Sequence, residues 1–584
     1  MDGEDHDRED SESCPANPIC EPKTQHYRSE DGSCNNLENP SWGQAGLPYV
    51  RRLERQHSLV DCGRASHLPN PRLVSGALIR RGEDEYNAHA SIMVMIYGQL
   101  IDHDMMKTPE NVAVDECCKA ENRMAPSCCP IIAPPSDHFY GKEGRSTCID
   151  FLRSLRVKGI DCKARSDVQN ENTAFIDASF LYGSTKHAAD VVRAFEGGKM
   201  RSRLDDRHRM FPPQPRNMSD IKTVPVSGCC DMGDRRGDAH SAFLLILTAL
   251  LRLHNNFAER LSEMHPDWSD EWVFQETKKV VIAIHQHITY AEWLDRLLGT
   301  PNDVHVHAYQ DGYEDVYDPE VDPTISMVFS TSSYRLHTLI PGYFSLRDVQ
   351  YKEMGKMRLR DNFRNPKPLV ESNNFDNLIR GLAAQPVHDF DNVFTTEMTE
   401  WLFPKNDSKT GVSAGIDIVA ANVQRGRDHQ LPTYPSYRAY CGYKKPESWT
   451  DMTDLIAPDH VHRLFHIYDS PADVDLYIAQ VMERPVYGSL LGPTSHCIVS
   501  DQFERLKSGD RYFYTNSHVF SPAQLSAIKK MTLSRLLCDY ADDPSEMKLP
   551  RDMFRVLTGR KGDNPLLSCR DTVNIPALDL EPWR

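Results

Sequence analysis

The sequence lacks any excess of positive charge. Its 67 Lys and Arg stand against 84 Asp and Glu, a formal net charge of −17 at pH 7, so it has no global basic footprint for nucleic acid or for an anionic membrane. It also lacks an apolar run long enough for a bilayer. The most apolar stretch, residues 241–253, falls well short of the roughly 20 residues a spanning helix needs and reads as a buried helix. No Cys-x-x-Cys pair has the spacing of a tetrahedral metal site, which argues against structural zinc. No Gly/Ser-rich linker, low-complexity tract or internal repeat divides the chain. Its start, MDGEDHDREDSES, has neither a basic n-region nor an apolar h-region and does not read as a signal peptide.

What is present narrows the class further. A chain of 584 residues with 40% hydrophobic composition can bury a large core, which excludes wholesale disorder. Sixteen cysteines include the adjacent pairs Cys117-Cys118, Cys128-Cys129 and Cys229-Cys230. The even count in loop-like sequence favours disulfides and an oxidising, secretory compartment, and two sequons at Asn217 and Asn406 agree with it. Residues 1–26 read as an acidic flexible tail. Residues 27–584 read as one large, mainly α-helical domain with little β structure. Apolar residues recur at helical spacing over residues 86–105, 242–264, 271–298, 376–382 and 524–538. The proline-rich residues 125–135 and 211–215 are expected to be loops.

Five segments carry candidate chemistry. In GQLIDHD (98–104), about 100° of rotation per residue puts Gln99 and His103 one turn apart on one helix face, flanked by Asp102 and Asp104. Such polar groups are costly to bury without partners, and taken alone the segment reads as a solvated helix end. In TAFIDAS (173–179), Thr173, Asp177 and Ser179 could offer side-chain oxygens and Phe175 its carbonyl to a hard cation such as calcium. A further carboxylate is needed, for which Asp104 is a candidate; an ordinary capped turn fits equally. In MGDRRGDAH (232–240), two arginines beside a helix start can stabilise developing negative charge. The Arg236-Gly237-Asp238 tripeptide abuts a buried helix, which argues against adhesive use. In SSYRLHTLIPG (332–342), His337 stands among apolar residues, where a lone histidine is more often a satisfied core residue than a ligand. In ANVQRGRDH (421–429), Asn422 suits a buried network and Arg425 and Arg427 suit carboxylate pairing.

Taken together and in this order, GQLIDHD, TAFIDASFLYGS, HTLIPG and NVQRGRDHQLP resemble the animal haem peroxidases of the peroxidase–cyclooxygenase superfamily, with greatest likeness to secreted invertebrate chorion-peroxidase or peroxinectin-like members. The resemblance runs from about Tyr27 to the C-terminus. It implies haem b and Ca²⁺ as cofactors. His103 becomes the distal histidine, Gln99 its neighbour at the halide or peroxide position, and Arg236 the distal arginine. His337 becomes the proximal iron ligand and Asn422 its hydrogen-bond partner. Calcium falls to Asp104, Thr173, Phe175, Asp177 and Ser179, and Asp102 matches the aspartate that forms an ester with a haem methyl. The implied reaction reduces hydrogen peroxide and oxidises phenolic or tyrosyl donors, or halides.

Two departures stand out. The position of the family's second ester-forming glutamate holds Ala239, followed by His240 where one branch carries a sulfonium-forming methionine. At most one ester, through Asp102, and no sulfonium link are therefore expected. Three residues ahead of His337 stands Tyr334, a spacing similar to the fatty-acid dioxygenases and cyclooxygenases of the superfamily. A dioxygenase using Tyr334 is therefore one rival, and an adhesion or matrix protein with a vestigial haem site is the other. The resemblance also pairs Cys20 with Cys34, Cys441 with Cys497 and Cys538 with Cys569. It leaves Cys117, Cys118, Cys128, Cys129 and Cys148 in one loop of open connectivity.

Overall fold

Amphipathic spacing sets the frame. The helices that position the site are α1 (Met93–Met105), α2 (Ser241–Met264), α3 (Asp270–Ile288), α4 (Asn374–Ala384), α5 (Ile418–Asp428), α6 (Pro493–Ser508) and α7 (Leu533–Tyr540). The computed structural model describes residues 14–22, 26–56, 67–82, 86–163, 165–213, 230–299, 311–406, 412–557 and 564–584. Strands among these occur only as two-stranded pairs, of which Tyr343–Arg347 with Glu353–Arg358 is the most extended. The chain is thus mainly α, and most of its apolar side chains share one continuous core.

The stretch that reads as a buried helix is α2. It alone among the described residues has the length and hydropathy of a membrane span, and it lies buried in protein. Every residue from 241 to 255 is buried, so its apolar surface is removed from water by α1, α3 and α7 rather than by lipid. Helix α3 runs on through a wide turn at Thr289–Trp293 into Leu294–Leu298, as the spacing over 271–298 suggests. The indole N–H of Trp293 donates to the Val94 carbonyl at 2.8 Å, fastening this turn to α1. Gly98 permits the contact, because a Cβ there would lie 3.2 Å from the Trp293 ring.

Two expected helices are corrected. Residues 86–105 are not one helix: Tyr86–Ser91 is a strand paired with Pro386–His388, and α1 begins only at Met93. The Asn87 side chain accepts from the N–H groups of His89 and Ala90 at 2.9 and 2.8 Å, offering the backbone a local alternative to helix. Residues 524–538 hold two helices, Pro522–Ile528 and α7. The break comes where Thr532 caps α7 by accepting from the Arg535 N–H at 3.0 Å. The expected loop 125–135 is irregular apart from the two-residue strand Ile131–Ile132; of 211–215 only residues 211–213 are described, following the strand Met210–Phe211, and the rest lie outside the described residues.

Cysteine pairing is now specific. Cys20–Cys34, Cys441–Cys497 and Cys538–Cys569 are formed as the resemblance implies. Within the crowded loop Cys117 pairs with Cys128 and Cys118 with Cys148, and Cys129 is also disulfide-bonded. Cys14–Cys162 was not anticipated; with Cys20–Cys34 it ties residues 14–22 to the body of the protein. No described cysteine is free. Both sequon triplets lie wholly or partly outside the described residues, as does Cys229.

Candidate functional site

The last turns of α1 deliver Gln99, Asp102 and His103 to the wall of a cavity of about 790 Å³, counting the part open to solvent. The same cavity is lined by Ala239 and His240 at the start of α2 and by Tyr334 and His337. The functional side chains of three sequence-distant segments therefore face one space.

On the α1 wall the charges are arranged around one carboxyl. Asp102 Oδ2 lies 3.6 Å from Arg236 Nη1 and 4.0 Å from His103 Nε2. Burial pushes the Asp102 carboxyl up, against the pull of Arg335 and Arg236. Burial, reinforced by the Arg236 charge, holds His103 well below the ordinary imidazole range, so its ring is neutral near pH 7. His103 Nδ1 is buried with no hydrogen-bond partner.

Arg236 is itself held. Asp234 receives its Nε–H at 3.0 Å, its Nη2–H at 2.6 Å and its backbone N–H at 2.8 Å, while Nη2 also donates to the Met106 carbonyl at 2.7 Å. Burial alone would raise the Asp234 carboxyl; the guanidinium overrides it and holds the group well below the usual carboxylate range. In the Arg-Gly-Asp tripeptide, Asp238 is only 4% exposed and Arg236 is committed to Asp234, so these residues do not form an accessible adhesive loop.

His337 sits on a short 3₁₀ turn, His337–Leu339. Its Nδ1 lies 3.0 Å from the Asn422 amide nitrogen, and burial, with the Arg335 charge, lowers the ring to about 3. Asn422 is placed by α5, whose N-cap Asp417 accepts from the N–H groups of Val419 and Ala420 at 2.9 and 3.1 Å. Asp417 is pinned in turn by the fully buried Arg72, whose Nη1 donates to it at 2.6 Å while Nε donates to Asp137 at 2.8 Å. Arg427 and Arg425 pair carboxylates as expected, Arg427 with Asp475 at 2.7 Å and Arg425 with Glu110 and Asp428 at 3.3 and 3.4 Å.

Behind α1, four of the expected cation residues, Asp104, Thr173, Asp177 and Ser179, are joined by hydrogen bonds. Asp104, Thr173, Phe175, Asp177 and Ser179 are all buried. Thr173 Oγ1 donates to Asp177 at 2.8 Å, and the Ser179 N–H lies 2.5 Å from Asp104 Oδ1 and 3.1 Å from Asp177 Oδ1. Burial and the Asp104 charge push Asp177 up to about 7, which Arg28 and Lys278 only partly offset. Two carboxylates crowded in a buried, oxygen-rich pocket fit a hard cation. Among the described residues no cluster of three or more His, Cys, Asp or Glu forms a metal site, so hydroxyls and carbonyls would complete the shell.

Four residues have roles that the sequence did not assign. Asp234 orients Arg236. Asn172 donates its amide N–H to the carbonyls of His103 and Asp104 at 2.7 and 3.0 Å. His285 lies 3.2 Å from Asp104 Oδ2 and 2.7 Å from the Tyr97 hydroxyl. His240 reaches Gln99 at 2.7 Å. Only Asp234 had a local signal, being two residues from the arginine it holds. Tyr334 lines the cavity, but its hydroxyl donates to the Gly98 carbonyl at 3.2 Å and its ring stacks on Phe329 at 4.7 Å.

The cavity fits haem on its own chemistry. It is largely apolar, and three neutral imidazoles, those of His103, His240 and His337, border it. The His337 Nε2 atom has no hydrogen-bond partner among the described residues, while its Nδ1 is engaged, which is the arrangement of a metal-ligating histidine with a supporting partner.

A family model described as animal haem peroxidase matches residues 27–554. The chain is 34% identical over 564 residues to peroxidase skpo-1 of Caenorhabditis elegans, covering 96% of this chain and 78% of that protein. It is 33% identical over 611 residues to chorion peroxidase of Drosophila melanogaster, covering 98% and 72%. In three dimensions it is similar to peroxidase A from Dictyostelium discoideum, with a TM-score of 0.75 at 24% identity over 91% of this chain and all of that one. It is also similar to a fatty acid alpha-dioxygenase from Oryza sativa, with a TM-score of 0.71 at 18% identity over 90% and 86%. At such identities the structural likenesses show the fold alone.

Proposed function

The chain belongs to the animal haem peroxidase family and is an oxidoreductase of the peroxidase class, and from that premise we propose how its own residues divide the work. Haem, when bound, supplies the iron that takes up the two oxidising equivalents of hydrogen peroxide and passes them to a donor. His337 holds that iron through Nε2. For this its Nδ1 would carry the proton and donate to the Asn422 oxygen, which requires the amide to turn over from the orientation that sets its nitrogen against the ring. His103, kept neutral by burial and by Arg236, accepts a proton from one peroxide oxygen and returns it to the other. Arg236, oriented by Asp234, offsets the negative charge on the departing oxygen. The carrying observation is that His103 and His337 border the same cavity, both as neutral rings.

Calcium at Asp104, Thr173, Phe175, Asp177 and Ser179 would fix the end of α1 and so the His103 ring, with no part in proton movement. Asp102, with its carboxyl at the cavity wall, is the residue for a single haem ester. Full release of unmodified haem by acid would remove that assignment. Donors are phenolic or tyrosyl groups, with halides second, and the peroxidase domain spans residues 27–584. The disulfides and the invertebrate peroxidase relatives support an extracellular setting.

The test is donor choice. The haem-loaded protein should oxidise a guaiacol-type phenol only when peroxide is present, and should leave polyunsaturated fatty acid unchanged, in wild type and in Tyr334→Phe alike. An oxygenated lipid formed by wild type and lost in Tyr334→Phe would overturn the reading in favour of a dioxygenase. Purified protein with no Soret band, even after added haem, would favour a vestigial site.

A further inference from the structure

We propose that His240 is a positioning residue that fixes which end of the Gln99 amide faces the reaction cavity, so that the amide presents its N–H groups to small anions or to the lone pairs of peroxide. The inference rests on the peroxidase reading above and concerns how its distal wall chooses ligands.

The tautomer of His240 follows from its place in the chain. It is the N-cap of α2, and its Nδ1 accepts the Phe243 backbone N–H at 3.1 Å. A ring nitrogen that accepts cannot carry a proton, so the hydrogen of the neutral ring is on Nε2. Burial lowers this histidine to about 3, so the ring stays neutral around pH 7. The ring is held between Phe344, at 5.0 Å between centroids, and Phe243, at 6.2 Å. Nε2–H therefore points one way, and it meets Gln99 Oε1 at 2.7 Å.

The consequence falls on Gln99. With its oxygen taken by His240, its NH₂ is the end left over, and no described residue accepts from it. Gln99 lines the cavity one turn ahead of His103. Turning the amide over would set its NH₂ against the His240 N–H, donor against donor, and leave both without acceptors. At Gln99 the wall thus offers an N–H donor, with the His103 ring and the Asp102 carboxyl on either side as acceptors, a point suited to a halide, a pseudohalide or a peroxide oxygen. Nothing local in the sequence reveals this: the two residues are 141 positions apart.

The experiment uses the haem-loaded protein, with bromide and thiocyanate as probes and the Soret shift as the readout of Kd, alongside KM for hydrogen peroxide. His240→Ser keeps an oxygen to cap α2 but has no donor reaching Gln99; His240→Asn is the second variant should the first fold poorly. Either should weaken anion binding on the order of tenfold, the size of one net hydrogen bond, and raise the KM for peroxide more than it lowers kcat. Gln99→Leu should have a similar effect. The double variant should be no worse than Gln99→Leu alone, because the histidine acts only through the amide. Wild-type anion affinity in both His240 variants, or additive losses in the double variant, would overturn the proposal. A wild-type protein with no haem band or turnover would instead mark failure of the peroxidase reading itself.

Discussion

The two histidine-bearing walls of the cavity are built on opposite principles. On the His337 side, polar groups are paired in series: His337 to Asn422, Asn422 on α5, α5 capped by Asp417, and Asp417 gripped by the buried Arg72. On the His103 side, groups are left open. His103 Nδ1 is buried without a partner, and the Gln99 NH₂ has no acceptor among the described residues. Buried polar groups are normally satisfied, and those that are not call for an explanation. The paired wall holds a group in place, whereas the open wall is ready to exchange protons with a reactant. Only the supports of the open wall are saturated, with Asp234 under Arg236 and Asn172 under the helix end.

The largest effect tests the paired wall. Asp417→Ala removes a helix cap and one partner of a fully buried arginine, which should cost about 3 kcal/mol of unfolding free energy. Urea denaturation would measure it, and turnover per bound haem should stay within about twofold of wild type. A loss below about 1 kcal/mol would mean the series is not the support it looks like. Next is the open wall. Arg236→Lys keeps a charge for Asp234 but loses the planar fork, and kcat/KM for peroxide should fall about 10²-fold with haem content unchanged. A fall in haem binding instead would blur the distinction between the walls.

Much of this was legible in the sequence because it is local. Gln99 and His103 share a face by helical geometry alone, and the apolar run 241–253 could only be a buried helix. The remainder depended on contacts between distant segments. Tyr86–Ser91 is a strand because its partner lies some 300 residues away, and α7 starts where Thr532 caps it rather than where the apolar spacing begins. The loop cysteines could not be paired from order along the chain. His240 closes a recognised motif, yet its role lies in the direction of one N–H bond, which residue type and spacing do not encode. The family resemblance supplied roles for individual residues, and the packing supplied what holds each of them.

A smaller, graded effect comes with acid. His240 is lowered to about 3, and His254 and His287 to about 4, each chiefly by burial. The unfolded chain binds protons at these residues below about pH 6.5, while the folded chain refuses them until far lower. Their contribution to stability is therefore full above about pH 6.5 and is lost as pH falls towards 4. The thermal midpoint should drop across that interval, and His254→Gln should flatten part of the slope. A midpoint constant from pH 6.5 to 4 would show that burial does not keep these rings neutral.

The central distinction, one wall that holds and one that reacts, is tested most directly by measuring Soret absorbance and peroxide-dependent phenol oxidation together in His103→Ala and His337→Ala. His103→Ala should keep a full complement of haem while kcat/KM for peroxide falls about 10²- to 10⁴-fold. His337→Ala should lose the haem band and, with it, the activity. Wild-type turnover in His103→Ala, or a normally haem-loaded and active His337→Ala, would contradict the assignment.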